Sequence, residues 1–294
     1  MQNQNEEPKK QELNQTLFLS GSKFSLELGG NNGTILIGDA MHGFWHSHAL
    51  EYIQTQNWQY MQDDFCEQIG NGAAMLAIGW REDAQISLAQ VQAYLEFVKE
   101  TVAVYPLLLD FPRVRETETA LKCLPGQALI CAPSLDSMEF KEYCRLAFHY
   151  QKPLLLNLLH GKRIPSTVEQ RLLLAEETVE IALQAGLKQE QLAFLVPLPS
   201  PAVNVLPLQE ALASLQPLRS KFEIPVIVRP VVSFVTVSRA WLQSAISVWA
   251  LERGADAIIV NPNYREISNI TREMSNLLGR PLQKLPLEMK RWRK

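Results

Sequence analysis

The chain alternates short, continuously apolar runs with longer stretches of helical spacing. A strand buried on both faces lacks polar alternation, so each apolar run predicts a buried parallel strand. Helical patterns separate the runs, which gives repeated βα units with right-handed crossovers. Eight runs predict a single α/β domain closed as a (β/α)8 TIM barrel; they start at Ile35, Ala73, Leu107, Ala128, Leu154, Leu192, Val226 and Ala257. An open doubly wound sheet is the alternative, disfavoured because no G-x-G-x-x-G follows the first run.

Helical spacing defines the stretches between these strands. Ser166 is the predicted N-cap of the longest helix, and Gly186 is its stop. The predicted helices cover residues 58–69, 88–102, 115–122, 134–150, 166–184, 209–221, 239–253 and 264–278.

Three further segments flank the barrel, which is assigned to residues 34–279. Residues 1–15 are rich in Gln, Asn, Glu and Lys and are expected to form a disordered tail. Residues 16–33 contain two short apolar runs around a Gly-Ser pair, which predicts a β-hairpin. We expect this hairpin to cover the bottom of the barrel, away from the catalytic loops. Residues 280–294 form a basic tail, expected to be a solvated surface segment.

Composition narrows the class of protein. The 294 residues are 47% apolar and 20% charged, which is typical of a globular chain. With 28 basic and 31 acidic residues the net charge is -3, so neither nucleic acid nor an anionic membrane is an expected partner. No run reaches the ~18 apolar residues of a membrane span. The polar N-terminus and four cysteines without a CxxC pair predict a cytoplasmic protein with reduced thiols.

Candidate functional residues come directly after the apolar runs, where the chemistry of such barrels is found. Asp39 and Asp110 are the acidic candidates, while Arg229 could hold an anionic ligand and Asn261 is a polar contact. We expect these four side chains to converge at one mouth of the barrel. Asp110 could instead cap a loop, and Asn261 could instead form a turn.

Several other residues have two interpretations. Three histidines, His42, His46 and His48, lie close together in sequence beside Phe44 and Trp45. They could bind a metal or transfer protons. No second Cys or His cluster completes a tetrahedral site, so no metal is assigned. His160 begins a basic loop that could contact a ligand or simply be solvated. Cys131 ends a strand and could be a nucleophile, but the sequence marks no base for it, so a packed small apolar side chain is favoured.

The order of segments resembles the methyltetrahydrofolate:corrinoid protein methyltransferases, members of the pterin-binding barrel superfamily that includes dihydropteroate synthase. The segment Ile35-Leu36-Ile37-Gly38-Asp39-Ala40-Met41-His42-Gly43 is similar to that family's opening Ile-Gly-Glu-Arg-Ile-Asn-Gly. The block from Leu154 to Pro201 fits without a gap, and the resemblance extends from Thr34 to Leu278. Residues Ala250 to Pro262 also resemble the small subunit of the corrinoid iron-sulfur protein, an alternative closer relative.

The resemblance implies an enzyme that moves a methyl group between tetrahydrofolate and a corrinoid carried by a partner protein. It implies a pterin across the barrel mouth, with a homodimer as a further possibility. Asp110 matches the family's strand-end aspartate and Asp39 stands in place of its glutamate, so these are the implied catalytic residues. The implied ligand contacts are Asp110, Cys131, Arg229, Asn261 and His160.

The sequence also departs from the family pattern. Cys131 and Val231 replace asparagines, and Val196 replaces an aspartate. Because a valine offers no hydrogen bond to a pterin edge, we expect folate binding to be weak or absent. The alternative is therefore a corrinoid-protein partner or regulatory subunit that has lost folate chemistry.

Overall fold

A closed barrel of eight parallel strands forms the centre of the molecule. The computed structural model describes residues 15–30, 32–43, 46–80, 82–201, 204–232 and 238–289. The barrel strands are β3 Ile35–Gly38, β4 Met75–Gly79, β5 Leu107–Asp110, β6 Leu129–Cys131, β7 Leu154–Asn157, β8 Leu192–Pro199, β9 Val226–Val231 and β10 Ala257–Val260. Around the barrel they follow the order β10-β3-β4-β5-β6-β7-β8-β9. The predicted TIM barrel of eight parallel strands is confirmed.

Helices surround the barrel. They are α1 Ser47–Thr55, α2 Trp58–Gly70, α3 Leu88–Thr101, α4 Val114–Cys123, α5 Phe140–His149, α6 Val168–Gln184, α7 Leu206–Ala213, α8 Leu215–Phe222, α9 Arg239–Glu252 and α10 Arg265–Leu277. Among the described helices, none is both long enough and apolar enough to cross a lipid bilayer.

Four helical details differ from the sequence prediction. Helix α1 is absent from that prediction, α5 begins at Phe140 rather than at residue 134, and one predicted helix is divided into α7 and α8. The N-cap of α6 is Thr167 rather than Ser166, because the Thr167 side chain accepts the backbone N–H of Gln170. The Ser166 hydroxyl donates to the Gln170 side chain instead.

Successive side chains of each barrel strand point alternately into the barrel and outward to the helices, which gives two apolar layers. Ile35, Ile37, Leu108, Leu155 and Ile227 belong to the inner cluster that fills the barrel. Their neighbours one residue along belong to the outer cluster, which packs against the helices. A side chain at a strand end therefore points into the barrel when it lies an even number of residues from an inner residue of the same strand. We call this the same parity.

An N-terminal hairpin covers the bottom of the barrel. Strands β1, Thr16–Ser20, and β2, Ser25–Gly29, pair antiparallel. Apolar side chains of the hairpin join the inner cluster, and they are Leu17, Leu19, Leu26 and Leu28. The N–H of Ser20 donates to the carbonyl of Gln127 at 3.1 Å, just before β6 begins. The expected hairpin and its position below the amino ends of the strands are both confirmed.

The segment after α10 crosses the same bottom face. Arg280 places Nη2 3.1 Å from Oδ1 of Asp256, which is buried. The N–H of Gln283 donates to Thr34 at 2.9 Å, and the Tyr105 hydroxyl donates to the carbonyl of Pro286 at 2.8 Å. Residues 280–289 therefore lie against the barrel bottom through Arg280 and Gln283, while Leu287 and Glu288 stay exposed, so the predicted surface segment is held on the barrel. Residues 290–294 and residues 1–14 of the predicted disordered tail lie outside the described residues.

Candidate ligand site at the carboxyl ends of the strands

The inner layer changes from apolar to polar where the strands end. Parity with the inner cluster turns one residue at each carboxyl end toward the barrel axis. These positions are Asp39, Gly79, Asp110, Cys131, Asn157, Pro197, Arg229 and Asn261. The inner-cluster side chains below them are apolar, so the inner layer becomes charged and polar at this mouth. Asp39, Asp110, Arg229 and Asn261 share one face of the barrel, as predicted.

An ion pair crosses the mouth between Asp110 on β5 and Arg229 on β9. Arg229 Nη2 lies 3.0 Å from Asp110 Oδ2, and the two strands stand on opposite sides of the barrel. The Arg229 side chain is 8% exposed and that of Asp110 is 22% exposed. Burial alone would raise the pKa of Asp110, but Arg229 and His42 outweigh it and hold the pKa below its usual value. Asp110 is therefore a carboxylate at neutral pH.

His42 supports the same carboxylate from the loop after β3. Its Nε2 lies 3.2 Å from the Asp110 carbonyl oxygen and 3.4 Å from Asp110 Oδ2. Burial lowers the pKa of His42, and the nearby Arg229 lowers it further despite Asp110, so the ring is neutral at pH 7.

Gly79 makes room for this contact. With φ at +150°, it holds a backbone conformation that L side chains rarely adopt. A Cβ there would lie 1.9 Å from the carbonyl oxygen of Asp110 and 2.9 Å from Nε2 of His42. A glycine is therefore needed between the two contacting residues.

A small cavity lies beside the ion pair. Asp39 is 6% exposed, and its Oδ1 has no hydrogen-bond partner among the described residues. His46 Nε2 lies 3.7 Å from that oxygen. The cavity has a volume of about 20 Å³, and its lining includes Asp39, His46, Arg229, Arg239, Asn261 and Tyr264. Such a volume holds about one water molecule.

Asn157 is a polar member of the mouth that sequence reasoning missed. Its Oδ1 is buried and makes no hydrogen bond within the part of the chain described. The side chain follows Leu155 at the same parity, so it turns inward. The signal is an amide two residues after an inward-facing leucine, hidden within a continuous apolar run.

The three substituted positions of the family pattern have different environments. Val196 belongs to the outer cluster beneath the helices, so treating it as a lost ligand contact is wrong. Val231 has the parity of Arg229 and is half-buried at the mouth. The Cys131 thiol lies in the inner cluster and donates to the carbonyl of Ala132 at 3.7 Å, while burial raises its pKa well above the usual value. Cys131 is therefore a neutral group beside the anion.

The histidines do not form one cluster. His42 contacts Asp110, His46 approaches Asp39, and His48 is exposed on α1. His160 pairs through Nδ1 with Asp136 on the rim, where its side chain is 72% exposed, so its ligand contact stays a prediction. Nowhere in the described ranges do three or more His, Cys, Asp or Glu side chains group closely enough to hold a metal ion. Phe44 and Trp45 lie outside those ranges.

The fold is similar to that of a pterin-binding barrel. The dihydropteroate synthase of Yersinia pestis, solved with a pterine-sulfa conjugate, matches with a TM-score of 0.62 and 18% sequence identity. The match covers 89% of this chain and 98% of that chain. No protein-family model matches the sequence, and no curated protein is significantly similar to it. At this identity the likeness shows that the two chains share a barrel fold.

Proposed function

We propose that the mouth of the barrel binds a pterin-type heterocycle. The Asp110–Arg229 ion pair carries this proposal, because it crosses the mouth at the ends of β5 and β9. A buried ion pair is weak evidence for stability, since desolvation can exceed the attraction between the charges. Charged groups with perturbed pKa values at strand ends are instead typical of functional sites.

The hydrogen-bonding groups of the mouth complement a pyrimidinone edge. Such an edge presents adjacent N–H donors next to a carbonyl acceptor. The Asp110 carboxylate accepts and the Arg229 guanidinium donates, so together they match both kinds of group. Asp39 and Asn157 each add an oxygen that has no donor among the described residues. Asn157 points into the mouth and adds a polar group that the sequence analysis did not count. Val196 points outward and places no apolar side chain in the mouth. Both placements favour pterin binding.

The space in the mouth limits where the ring can lie. The cavity beside Asp39 is about 20 Å³, too small for a bicyclic ring. The exposed fraction of Asp110 is reachable from solvent. We therefore expect the ring to lie above the ion pair, with its polar edge directed down at Asp110.

Calorimetry with pterin and methyltetrahydrofolate tests this proposal. Asp110→Asn should weaken binding by about 10- to 100-fold, because a hydrogen bond to a charged group contributes about 1.5–3 kcal/mol. Asp39→Asn should also weaken binding, and it leaves the ion pair intact. Asp63→Asn on the exposed face of α2 should change nothing. Adenine lacks the required edge and should not bind, and absence of heat from both pterins with the wild-type chain would refute the proposal.

Methyl transfer is the finer proposal for the bound pterin. The resemblance supports transfer between tetrahydrofolate and a corrinoid protein, which needs a proton at the pterin N5 in the transition state. His46 beside Asp39 is the candidate proton donor in the cavity. Val231 supports the alternative, a non-catalytic partner of a corrinoid protein, because it places an apolar side chain at the mouth.

Spectrophotometry with methyltetrahydrofolate and cob(I)alamin separates these two uses. Appearance of methylcobalamin that is lost in His46→Gln supports transfer. Pterin binding without turnover supports the non-catalytic partner. The possible homodimer is checked by sedimentation of the same samples.

A further inference from the structure

We propose that Asp64 on helix α2 is a positioning residue that fixes Asp39 and Asn261 relative to each other at the mouth. This inference deepens the proposed function, and its ligand readout rests on it. Strands β3 and β10, which carry these two groups, are neighbours where the barrel closes. One oxygen of Asp64 receives a hydrogen bond from each side of this junction.

The first connection runs to the loop after β3 through Gln68. The Gln68 side chain is fully buried and its Oε1 accepts the backbone N–H of Ala40 at 3.2 Å. Ala40 is the residue next to Asp39, so this bond fixes the backbone that carries the carboxylate. Gln68 Nε2 donates to Asp64 Oδ1 at 2.9 Å, which orients the amide.

A glycine makes this approach possible. A Cβ at Gly38 would lie 2.2 Å from Gln68 Oε1 and 3.1 Å from its Cδ. The last residue of β3 therefore has no side chain where the Gln68 amide must pass. The contact is part of the local packing and not a chance surface hydrogen bond.

The second connection runs to the loop after β10 through Asn263. Its Nδ2 donates to Asp64 Oδ1 at 3.1 Å, and its Oδ1 accepts from Asn71 at 3.3 Å. The backbone N–H of Asn263 donates to the Asn261 side-chain oxygen at 2.9 Å. The orientation of Asn261 in the cavity is thus tied to the same carboxylate as Asp39.

The position of Asp64 is costly for a carboxylate without such a role. Burial raises its pKa, although hydrogen bonds from Gln68 and Asn263 act in the opposite direction. Glu67 adds like charge, while His46 at the mouth opposes it. A leucine of similar size would avoid the burial of charge but would accept neither hydrogen bond.

Two substitutions at residue 64 separate the role of the acceptor from that of the charge. Asp64→Asn keeps an oxygen at the shared position, so both loops should stay in place. Asp64→Leu removes it, and crystal structures should show Asp39 and Asn261 displaced relative to each other. Pterin affinity should fall about tenfold in Asp64→Leu and stay within twofold in Asp64→Asn, because the loss of about one hydrogen bond to the ring corresponds to about tenfold in affinity.

A matched control and a second variant complete the test. Asp63→Leu makes the same change one residue away, where the side chain accepts a hydrogen bond from Gln59 on its own helix, and should leave the affinity unchanged. If Asp64→Leu does not fold, Asn263→Ala removes the second connection from a half-buried loop and should move Asn261.

Each outcome supports or overturns the positioning role. Unchanged positions of Asp39 and Asn261 in Asp64→Leu would overturn the proposal, whereas their displacement supports it, and a loss of pterin affinity then links the displacement to the proposed ligand site. Equal losses in Asp64→Asn and Asp64→Leu would also overturn it, because the acceptor would not be the cause. If the wild-type chain binds no pterin, the proposed function fails, and the crystal structures alone then decide whether Asp64 positions the two groups.

Discussion

Removing the charge of Asp110 should destabilise the barrel strongly. Asp110→Asn leaves the buried Arg229 guanidinium without the carboxylate 3.0 Å away. Breaking a buried pair on one side costs about 3–5 kcal/mol. Because 22% of the Asp110 side chain is exposed, some of that cost is relieved by water, and we expect about 2–4 kcal/mol. For a chain of 294 residues this corresponds to a fall in Tm of roughly 3–6 °C.

Urea unfolding followed by circular dichroism measures this loss. A double-mutant cycle uses Asp110→Leu, Arg229→Leu and the variant that carries both changes. The double variant removes both charges and should recover much of the stability, giving a coupling energy of at least about 2 kcal/mol. Asp136→Asn is the matched control, because its pair with His160 is exposed and should contribute less than about 0.5 kcal/mol. A change below about 0.5 kcal/mol in Asp110→Asn would show that the charges do not interact as described.

The same pair predicts a pH dependence. The pKa of Asp110 is lower in the folded chain than its unfolded value of about 3.9. The ion pair therefore contributes its full stability above about pH 4 and loses it as the pH falls through the folded pKa. Asp110→Asn should flatten the stability profile below about pH 4. A wild-type profile no steeper than that of the variant would contradict this assignment.

Three further predictions concern His42 and the barrel bottom. Burial lowers the pKa of His42, so as the pH drops the unfolded chain binds a proton before the folded chain does. The free energy of unfolding should therefore fall below about pH 6.5. Urea unfolding at pH 8 and pH 5.5 should show a smaller fall in His42→Gln. Leu19→Ala leaves a cavity at a fully buried position of the hairpin and should lower the free energy of unfolding by about 2–5 kcal/mol in the same assay. A change below about 1 kcal/mol would show that the hairpin contributes little to the core. Arg280→Leu leaves buried Asp256 with one fewer cation and should lower the free energy of unfolding by about 1–3 kcal/mol. Proteolysis of the C-terminal segment should also be faster in this variant. Unchanged cleavage would contradict the prediction.

The fold could be predicted because its strands are buried on both faces. Runs such as Leu107-Leu108-Leu109 have no polar interruption, and the structure ends each strand within a few residues of its run. Asp110 and Arg229 are recognisable for the same reason, since each is the first charge after such a run. Their contact across the barrel follows from closure, which puts all the carboxyl ends on one face.

The errors come from information that one sequence does not contain. A shift of one residue in strand register reverses the direction of a side chain, which is why the family pattern places Val196 at the mouth although it packs beneath the helices. Asn157 is hard to recognise because it extends an apolar run. Arg280 has the sequence context of a surface charge, and its burial depends on Asp256, a partner supplied by the tertiary structure.

A crystal structure of the chain grown with saturating pterin would show whether the mouth of the barrel is the ligand site. We expect density for the ring at the carboxyl ends of the strands, with its amino and amide edge at the Asp110 carboxylate and its carbonyl facing Arg229. Ligand density at any other site, or a mouth without ligand at concentrations that saturate binding in solution, would contradict pterin binding by the Asp110–Arg229 pair.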